Sequence, residues 1–230
     1  MTDPIEAYSN FYMNDSVNKA GYDIPESFIA RVFLSKSPVK LLKNYNTNNK
    51  SILDVGCGNG RNIPFFKSLG LKTVGTEVSK DNVSKLKRKF PNSSFYHCYS
   101  DNMEMFKDNN FEFVVAVNSI YYLRQGCELI DNINESIRIL KPGGALIMSF
   151  IGNKHFIMKN AKRDSGNNVI ISSDPLSFRN GLRLRPIWSQ EDLEKLLEKF
   201  TTIFKYKTGE ILDKVDDVTR HILYVVCYKK

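Results

Sequence analysis

No run of roughly 18 apolar residues, the length that a helix needs to cross a bilayer, occurs in the chain, and we therefore expect no membrane span. The first residues, Met1 to Glu6, have neither the basic nor the apolar region of a signal peptide, so the sequence predicts a cytoplasmic protein. Cysteine is scarce, and its scattered positions match neither a disulfide framework nor a metal site. We expect buried thiols in a reducing compartment and no metal at Cys57, Cys98, Cys127 and Cys227.

The composition is that of a compact globular protein. Apolar residues make up 42% of the 230 residues and aromatic residues 12%, which excludes a disordered chain and predicts a single domain over residues 1–230. The net charge of +8 suits nucleic acid or an anionic surface. Lys and Asn are both abundant, however, as A/T-rich coding produces, so a nucleic-acid partner is the less favoured interpretation.

The most informative motif lies at residues 52–60, where a short apolar strand with one acid runs into three glycines at every second position. Asp54 lies two residues before Gly56, and Gly58 and Gly60 follow. Glycine is needed where the backbone has a positive φ or comes close to a ligand. A strand, a glycine turn and a helix N-terminus form a nucleotide-sized pocket. The Gly-x-Gly-x-Gly spacing differs from that of dinucleotide enzymes, so a nicotinamide oxidoreductase is the least favoured class.

Further segments follow this motif in a fixed order. They are a strand at 73–79 that contains Glu77, a strand at 95–101 that ends in Asp101, the most apolar run at 111–119, and a helix, Lys-Pro-Gly-Gly turn and strand at 138–148. Glu77 lies 23 positions after Asp54, close to the roughly 20-residue offset at which an acid meets a ribose. The alternation of apolar strands with helical patterns predicts βα units and a mostly parallel sheet.

This ordered set, over about residues 50 to 150, resembles the motifs of the class I S-adenosylmethionine (SAM)-dependent methyltransferases. The resemblance implies an α/β fold: a Rossmann-like, seven-stranded methyltransferase sheet, mostly parallel with an antiparallel last strand, and helices on both faces. It also implies SAM as the methyl donor and S-adenosylhomocysteine as the product.

The predicted elements divide the single domain into four parts. These are an N-terminal helical cap (1–48, with helices at 6–13 and 27–42), a SAM-binding core (49–150), a substrate lid (151–187), and a C-terminal helix and strands (188–230, with strands at 202–206 and 222–228). Ser189 followed by Asp192 is a helix-capping pattern at the start of the last part.

The resemblance implies a set of cofactor-binding residues. Asp54 would balance the ammonium of the methionine tail, and Glu77 would accept hydrogen bonds from the ribose hydroxyls, which a charged acceptor strengthens. Asp101 and its neighbours would face the adenine edge, and the pair after the fourth strand would lie near the sulfonium or the acceptor. The full set is Asp54, Gly56, Cys57, Gly58, Asn59, Asn62, Glu77, Val78, Ser100, Asp101, Asn102, Asn118 and Ser119.

The segment 151–187 is strongly basic and follows the fifth strand, at the edge where open α/β sheets bind ligands. We interpret it as a substrate lid, and a solvated basic loop is the alternative. Arg183 and Arg185 can point the same way from the extended stretch before Pro186, and guanidinium groups suit phosphate or carboxylate. The candidate substrate contacts are Tyr121, His155, Arg183 and Arg185, with core packing the alternative for Tyr121.

The favoured function is methyl transfer from SAM to a small, anionic acceptor, with O-methylation of a sugar derivative or metabolite preferred. Asn118 to Tyr121 contain no proline, unlike the Asn/Asp-Pro-Pro-Tyr of enzymes that methylate exocyclic amines of bases. An RNA or protein methyltransferase and a non-catalytic SAM-binding protein are the alternatives. No carboxylate pair or metal cluster identifies a general base, so the sequence assigns no catalytic residue; among the histidines, His155 and His221 are the candidates.

Overall fold

The structure is a computed structural model that describes residues 24–36, 40–42 and 46–230. In chain order its elements are α1 (Ser27–Leu34), β1 (Ser51–Val55), α2 (Ile63–Ser68), β2 (Lys72–Glu77), α3 (Lys80–Lys89), β3 (Ser94–His97), β4 (Phe111–Ala116), β5 (Tyr122–Leu123), α4 (Leu129–Ile139), β6 (Leu140–Ile151), β7 (Lys162–Arg163), β8 (Val169–Ile170), β9 (Arg183–Leu184), α5 (Gln190–Glu198), β10 (Phe204–Val215) and β11 (Val218–Lys229). A short 3-10 helix (Phe156–Met158) lies between β6 and β7. The helix predicted at residues 6–13 lies outside the described residues.

Seven strands form one sheet in the order β10-β11-β6-β4-β1-β2-β3. The pairs β1–β2, β1–β4, β2–β3 and β4–β6 are parallel. β11 is antiparallel to both of its neighbours, β6 and β10. The prediction of a Rossmann-like, mostly parallel sheet with an antiparallel last strand is confirmed.

Helices cover both faces of this sheet, as predicted. Leu53 and Val114 pack on the face that α4 and α5 cover, whereas their neighbours Ile52 and Val115 pack on the face that α1 and α2 cover. This alternation follows from the strand geometry, in which successive side chains point to opposite faces. Because both faces are covered, the central strands are apolar along nearly their whole length.

The strands end early on the edge where the glycine motif lies. The strand predicted at 95–101 ends at His97, and the strand predicted at 111–119 ends at Ala116. Asn118 has a φ of 58°, in the left-handed region that a strand does not use. The polar residues after both strands are therefore released into turns at the carboxyl edge.

Helix α1 covers only the first half of the helix predicted at 27–42, so the predicted length is wrong. The chain leaves the helix at Ser35, which has an extended ψ of 137°. Serine competes for backbone hydrogen bonds, and Pro38 disfavours helical conformation in the residue before it. Both local effects outweigh the apolar periodicity that extends to Leu42.

Part of the segment 151–187 folds as a second, smaller sheet. Strands β7, β8 and β9 pair antiparallel, and β9 pairs with β5, which gives the order β5-β9-β8-β7. Because β5 closely follows β4, this small sheet lies beside the carboxyl edge of the large one. The segment is therefore attached to the site through hydrogen-bonded strands.

The C-terminal strands are longer than predicted. β10 and β11 each have 12 residues and form a hairpin whose outer half is exposed. Charged residues there separate the exposed apolar residues Leu212, Val215 and Val218, so the sequence shows no regular strand alternation. The predicted cap of α5 is confirmed, since Ser189 Oγ accepts a hydrogen bond from the backbone N–H of Asp192 at 3.1 Å. Within the described residues, no helix is long and apolar enough to cross a bilayer.

Candidate active site

Two adjoining cavities lie at the carboxyl edge of the large sheet, with volumes of about 670 Å³ and about 1300 Å³. Gly56, Asn118 and Tyr122 line both of them. The predicted cofactor residues on the first cavity are Gly56, Glu77, Val78, Ser100, Asp101, Asn118 and Ser119. Those on the second are Gly56, Cys57, Gly58, Asn59, Asn62 and Asn118. The structure thus brings most of the predicted set to one place.

The glycine turn between β1 and α2 has the conformation that its sequence predicts. The φ values are 64° at Gly56, 57° at Gly58 and 76° at Gly60. Residues other than glycine rarely adopt this region. A Cβ atom on Gly56 would also lie 2.7 Å from Cβ of Ser119. The backbone of Gly56 therefore forms part of the cavity wall, and the packing of Ser119 leaves no room for a side chain at this position.

Glu77, at the end of β2, is buried and holds this turn in place. Its Oε2 accepts the backbone N–H of Gly58 at 2.9 Å, and its Oε1 accepts that of Val78 at 2.8 Å. Burial raises the pKa of Glu77, and hydrogen bonds from Val78, Gly58 and Ser79 oppose that rise. The carboxyl group lines the first cavity with lone pairs beyond those that the backbone uses.

Asp54, the acid of the glycine motif, lies behind the turn and lines neither cavity. It is 2% exposed, and its Oδ2 accepts a hydrogen bond from Asn62 Nδ2 at 3.1 Å. Burial raises its pKa to about 7, while the hydrogen bond from Asn62 and the charge of Arg61 oppose this rise. Asp54 therefore acts on the cavity through Asn62, which does line it.

The residues after β4 connect the two cavities. The backbone N–H of Asn118 donates to Ser149 Oγ at 2.8 Å, which ties the turn to β6. Ser119 Oγ donates to the backbone carbonyl of Val55 at 2.6 Å, which ties it to β1. These two bonds hold Asn118 at the junction of the cavities.

Asp101 lies at the far end of the first cavity, where Arg124 anchors it. Its Oδ2 accepts hydrogen bonds from Arg124 Nε at 2.8 Å and from the thiol of Cys127 at 3.1 Å. Burial acts to raise the pKa of Asp101, but these hydrogen bonds outweigh it and the pKa is lowered, so the group is a carboxylate at neutral pH. Asn102 does not line the cavity; its Oδ1 accepts the backbone N–H of Glu104.

Two of the predicted substrate contacts, Tyr121 and His155, line the second cavity, and Tyr121 also packs in the hydrophobic core. Burial, together with the positive charges of Arg179 and Arg220, lowers the pKa of His155 to about 4. The ring is therefore neutral at neutral pH. Its Nδ1 accepts the backbone N–H of Ile157 at 3.4 Å, which favours the tautomer that carries the proton on Nε2.

The predicted contacts of Arg183 and Arg185 with an acceptor require correction, because neither side chain lines either cavity. Arg183 is 8% exposed and forms ion pairs with Asp164 at 2.6 Å and Glu128 at 2.7 Å. Arg185 pairs with Asp192 on α5 at 2.5 Å. Both guanidinium groups are paired with acids on other elements. The spacing of the arginines in the sequence does not reveal these pairs.

Three other arginines line the second cavity instead: Arg61, Arg179 and Arg220. Arg179 donates to Tyr122 Oη at 3.2 Å and to Asp174 Oδ1 at 3.0 Å, with its guanidinium 4.1 Å from the ring centroid of Phe178. Arg61 directly follows the glycine turn, a position that the motif itself marks. Arg179 and Arg220 reach the cavity because of strand pairing in the small sheet and in the hairpin. No local pattern in the sequence predicts this pairing.

Comparison with known proteins supports the motif assignment. The family model described as a methyltransferase domain matches residues 53–148. The dTDP-3-amino-3,4,6-trideoxy-alpha-D-glucopyranose N,N-dimethyltransferase of Streptomyces venezuelae is 25% identical over 147 residues, which are 64% of this chain. The chain spans 56% of the length of that curated relative.

Solved structures share the fold at low sequence identity. A protein in the complex with the Haloferax volcanii Trm112 methyltransferase activator has a TM-score of 0.66 at 15% identity, over 100% of this chain and 99% of that one. The Burkholderia thailandensis 1,6-didemethyltoxoflavin-N1-methyltransferase, with bound S-adenosylhomocysteine, has a TM-score of 0.62 at 14% identity, over 100% and 92% of the two chains.

Residues 53–148 match a methyltransferase domain, and the ordered motifs and the strand order of the sheet agree with a class I SAM-dependent methyltransferase. Its cofactor is SAM. The residues present fit this molecule, because a glycine wall, a buried acid at the end of β2 and an anchored acid after β3 line one continuous edge.

Proposed function

We propose that this protein transfers a methyl group from SAM to a small, anionic acceptor bound in the second cavity. The observation that carries the proposal is the pair of cavities that meet at Gly56, Asn118 and Tyr122. The adenosine part of SAM is assigned to the first cavity, where Glu77 would accept hydrogen bonds from the ribose hydroxyls and Asp101 would face the adenine edge. The sulfonium of SAM supplies the activated methyl group, so the protein mainly has to align donor and acceptor.

The charge of the second cavity favours an anion. Three arginines line it, and among the described lining residues Glu26 is the one acid. Asp174 balances Arg179 from behind, and Arg220 is half exposed with a contact of 3.6 Å to Glu26. A guanidinium that a carboxylate and a tyrosine hold in place, as for Arg179, loses little further freedom when it binds phosphate or carboxylate.

The acceptor class that we favour is a sugar derivative or another phosphorylated metabolite. The name of the curated relative describes methylation of an amino sugar that carries a dTDP group, and such a nucleotide is anionic. The methylated atom is proposed to be an oxygen or a nitrogen of such a molecule. His155, neutral with its proton on Nε2, would donate a hydrogen bond that orients the acceptor.

Turnover with a panel of acceptors tests the proposal. The purified protein, SAM and nucleotide sugars or sugar phosphates should yield S-adenosylhomocysteine, and Arg179→Gln should raise KM for the acceptor by roughly tenfold or more, the effect of losing a charged hydrogen bond. Arg88→Gln, an exposed site on α3, is the matched control and should leave KM unchanged.

Two outcomes would contradict the proposal. Calorimetric binding of NAD without any SAM signal would remove the cofactor assignment. A salt-dependent mobility shift with tRNA, together with tRNA methylation and no turnover of small molecules, would replace the acceptor class by RNA.

A further inference from the structure

An ion pair lies on the wall of the second cavity, directly beside the glycine turn. Arg61 Nη2 donates to Glu26 Oε2 at 2.6 Å, and the Glu26 side chain is 12% exposed. The same oxygen lies 3.4 Å from Asn118 Nδ2, at the junction of the two cavities. Carboxylate and guanidinium are therefore presented side by side where the cofactor turn meets the acceptor space.

The backbone fixes this glutamate to the glycine motif. The N–H of Glu26 donates to Asn62 Oδ1 at 3.0 Å, and Asn62 Nδ2 donates to Asp54 Oδ2 at 3.1 Å. A continuous chain of hydrogen bonds thus runs from the residue before α1 to the buried acid of β1. In this chain Asp54 is the hidden member and Glu26 is the member that faces the cavity.

The lining acids are distributed unevenly. Among the described residues, the first cavity has the carboxyl groups of Glu77 and Asp101, and the second has that of Glu26. Glu26 therefore supplies the carboxyl group in the second cavity, whereas the proposed ribose acceptor, Glu77, lines the first cavity. The amino-acid tail of SAM carries one ammonium and one carboxylate, and each needs an opposite charge when it leaves water.

We propose that Glu26 and Arg61 together recognise the zwitterionic amino-acid tail of the cofactor, with the carboxylate of Glu26 opposite the ammonium and the guanidinium of Arg61 opposite the carboxylate. This inference rests on the proposed assignment of the cofactor to these cavities. A zwitterion placed against an ion pair forms four alternating charges, so each charge has an opposite neighbour. Binding then leaves no unpaired charge in the partly buried site.

The arrangement also couples the cofactor to the N-terminal part of the chain. Glu26 immediately precedes α1, whose residue Phe28 packs in the hydrophobic cluster on one face of the large sheet. The contact that recognises the tail therefore also fastens the start of α1 to the glycine turn. SAM would stabilise this end of α1, whereas a ligand without the tail would not.

Calorimetric titration with two ligands separates the tail from the adenosine. S-adenosylhomocysteine carries the amino-acid tail, and 5′-methylthioadenosine is the corresponding molecule without it. For both Glu26→Gln and Arg61→Gln, we expect the affinity for S-adenosylhomocysteine to fall roughly tenfold or more, as for loss of a charged hydrogen bond. The affinity for 5′-methylthioadenosine should change less than about twofold, within the scatter of surface substitutions.

Glu191→Gln, which changes an exposed acid on α5 by the same charge, is the control and should alter neither affinity. An equal loss of both ligands in Arg61→Gln, or an unchanged affinity for S-adenosylhomocysteine in both variants, would overturn the inference. Glu77→Ala tests the underlying assignment separately, because it should weaken both ligands. If the wild-type protein binds neither ligand, the proposed function itself fails.

Discussion

At the scale of single residues, Glu77 has two tasks in the same carboxyl group. It accepts backbone N–H groups from Gly58 and Val78, which shapes the glycine turn, and it opens on the first cavity. A buried carboxylate that the backbone already orients needs no rearrangement to accept ligand hydroxyls. We therefore expect Glu77 to connect the shape of the turn to the affinity for the cofactor.

Replacing Glu77 with Ala should weaken SAM binding at least roughly tenfold, since hydrogen bonds to charged groups contribute about 1.5–3 kcal/mol each. The N–H groups of Gly58 and Val78 also lose their acceptor, so we expect a measurable fall in melting temperature. Calorimetry with SAM and thermal unfolding measure the two effects. Asp213→Ala, at an exposed site of the hairpin, should change neither; unchanged SAM affinity in Glu77→Ala would place the ribose elsewhere.

Gly56 and Gly126 form a matched pair for testing the glycine turn. Both have positive φ values, 64° and 81°, but a Cβ on Gly56 would lie 2.7 Å from Cβ of Ser119, and one on Gly126 would meet nothing within 4 Å. Gly126→Ala should therefore cost only the backbone strain of about 1–2 kcal/mol, seen in chemical denaturation, with SAM affinity intact.

Gly56→Ala should cause the same backbone strain and should also displace Ser119. Because the hydrogen bond from Ser119 Oγ to the Val55 carbonyl holds the junction of the cavities, we expect this variant to lose measurable SAM binding. Equal SAM affinities for the two alanine variants would show that the turn does not approach the cofactor.

At the scale of elements, ion pairs as well as strand pairing hold the small sheet together and tie it to the residues before α4. Arg183 on β9 reaches Asp164 after β7, and Glu128 and the carbonyl of Cys127 before α4. The side chain joins three segments that are distant in sequence. We infer that Arg183 positions the lid rather than the acceptor.

Arg183→Gln should lower the free energy of unfolding by about 1 kcal/mol, the scale of a lost hydrogen bond, because the buried guanidinium is removed while its carboxylate partners remain open to water. SAM affinity should stay within about twofold of wild type, because the residue lines neither cavity. Urea denaturation and calorimetry measure both quantities. Lys195→Gln breaks an exposed pair with Glu191 and should leave the free energy of unfolding almost unchanged. An equally unchanged free energy in Arg183→Gln would show that the ion pairs of Arg183 do not anchor the lid.

The sequence predicts those elements whose signal is local. The order of strands in the core, the glycine turn and the Ser189 cap follow from apolar periodicity, glycine spacing and a short capping pattern. The predicted lengths of α1 and of the hairpin strands are wrong, because serine and proline follow α1 and because the exposed outer half of the hairpin has no regular apolar alternation. Most of the predicted cofactor residues follow a strand end, and their position at the carboxyl edge of the sheet could be predicted. The partners of Arg183 and Arg185 depend on long-range packing that no local pattern encodes.

At the scale of the whole molecule, the pH dependence of stability comes from carboxyl groups whose pKa values folding shifts in opposite directions. Burial raises the pKa of Asp54 to about 7, whereas at Glu112 hydrogen bonds from Lys141 and Ser51 outweigh burial and lower the pKa to about 2. Asp54 in the folded protein keeps its proton up to about pH 7, but the unfolded chain releases it near pH 4. Its contribution to stability is therefore largest at low pH and is lost as the pH rises from about 4 to 7. Glu112 contributes above about pH 4 and loses that contribution as the pH falls toward 2.

Asp54→Asn removes the pH-dependent contribution of Asp54 to stability and leaves that of Glu112. An amide has nearly the same shape, can still accept the hydrogen bond from Asn62 and does not ionise. We expect the variant to become more stable relative to wild type as the pH rises from 5 to 8, by on the order of 1–3 kcal/mol in urea denaturation. Because Glu112 is common to both proteins, its titration cancels in the difference between them. A difference that stays constant over this range, or that changes in the opposite direction, would mean that Asp54 ionises normally in the folded protein and that the Asp54–Asn62 bond is a bond to a carboxylate.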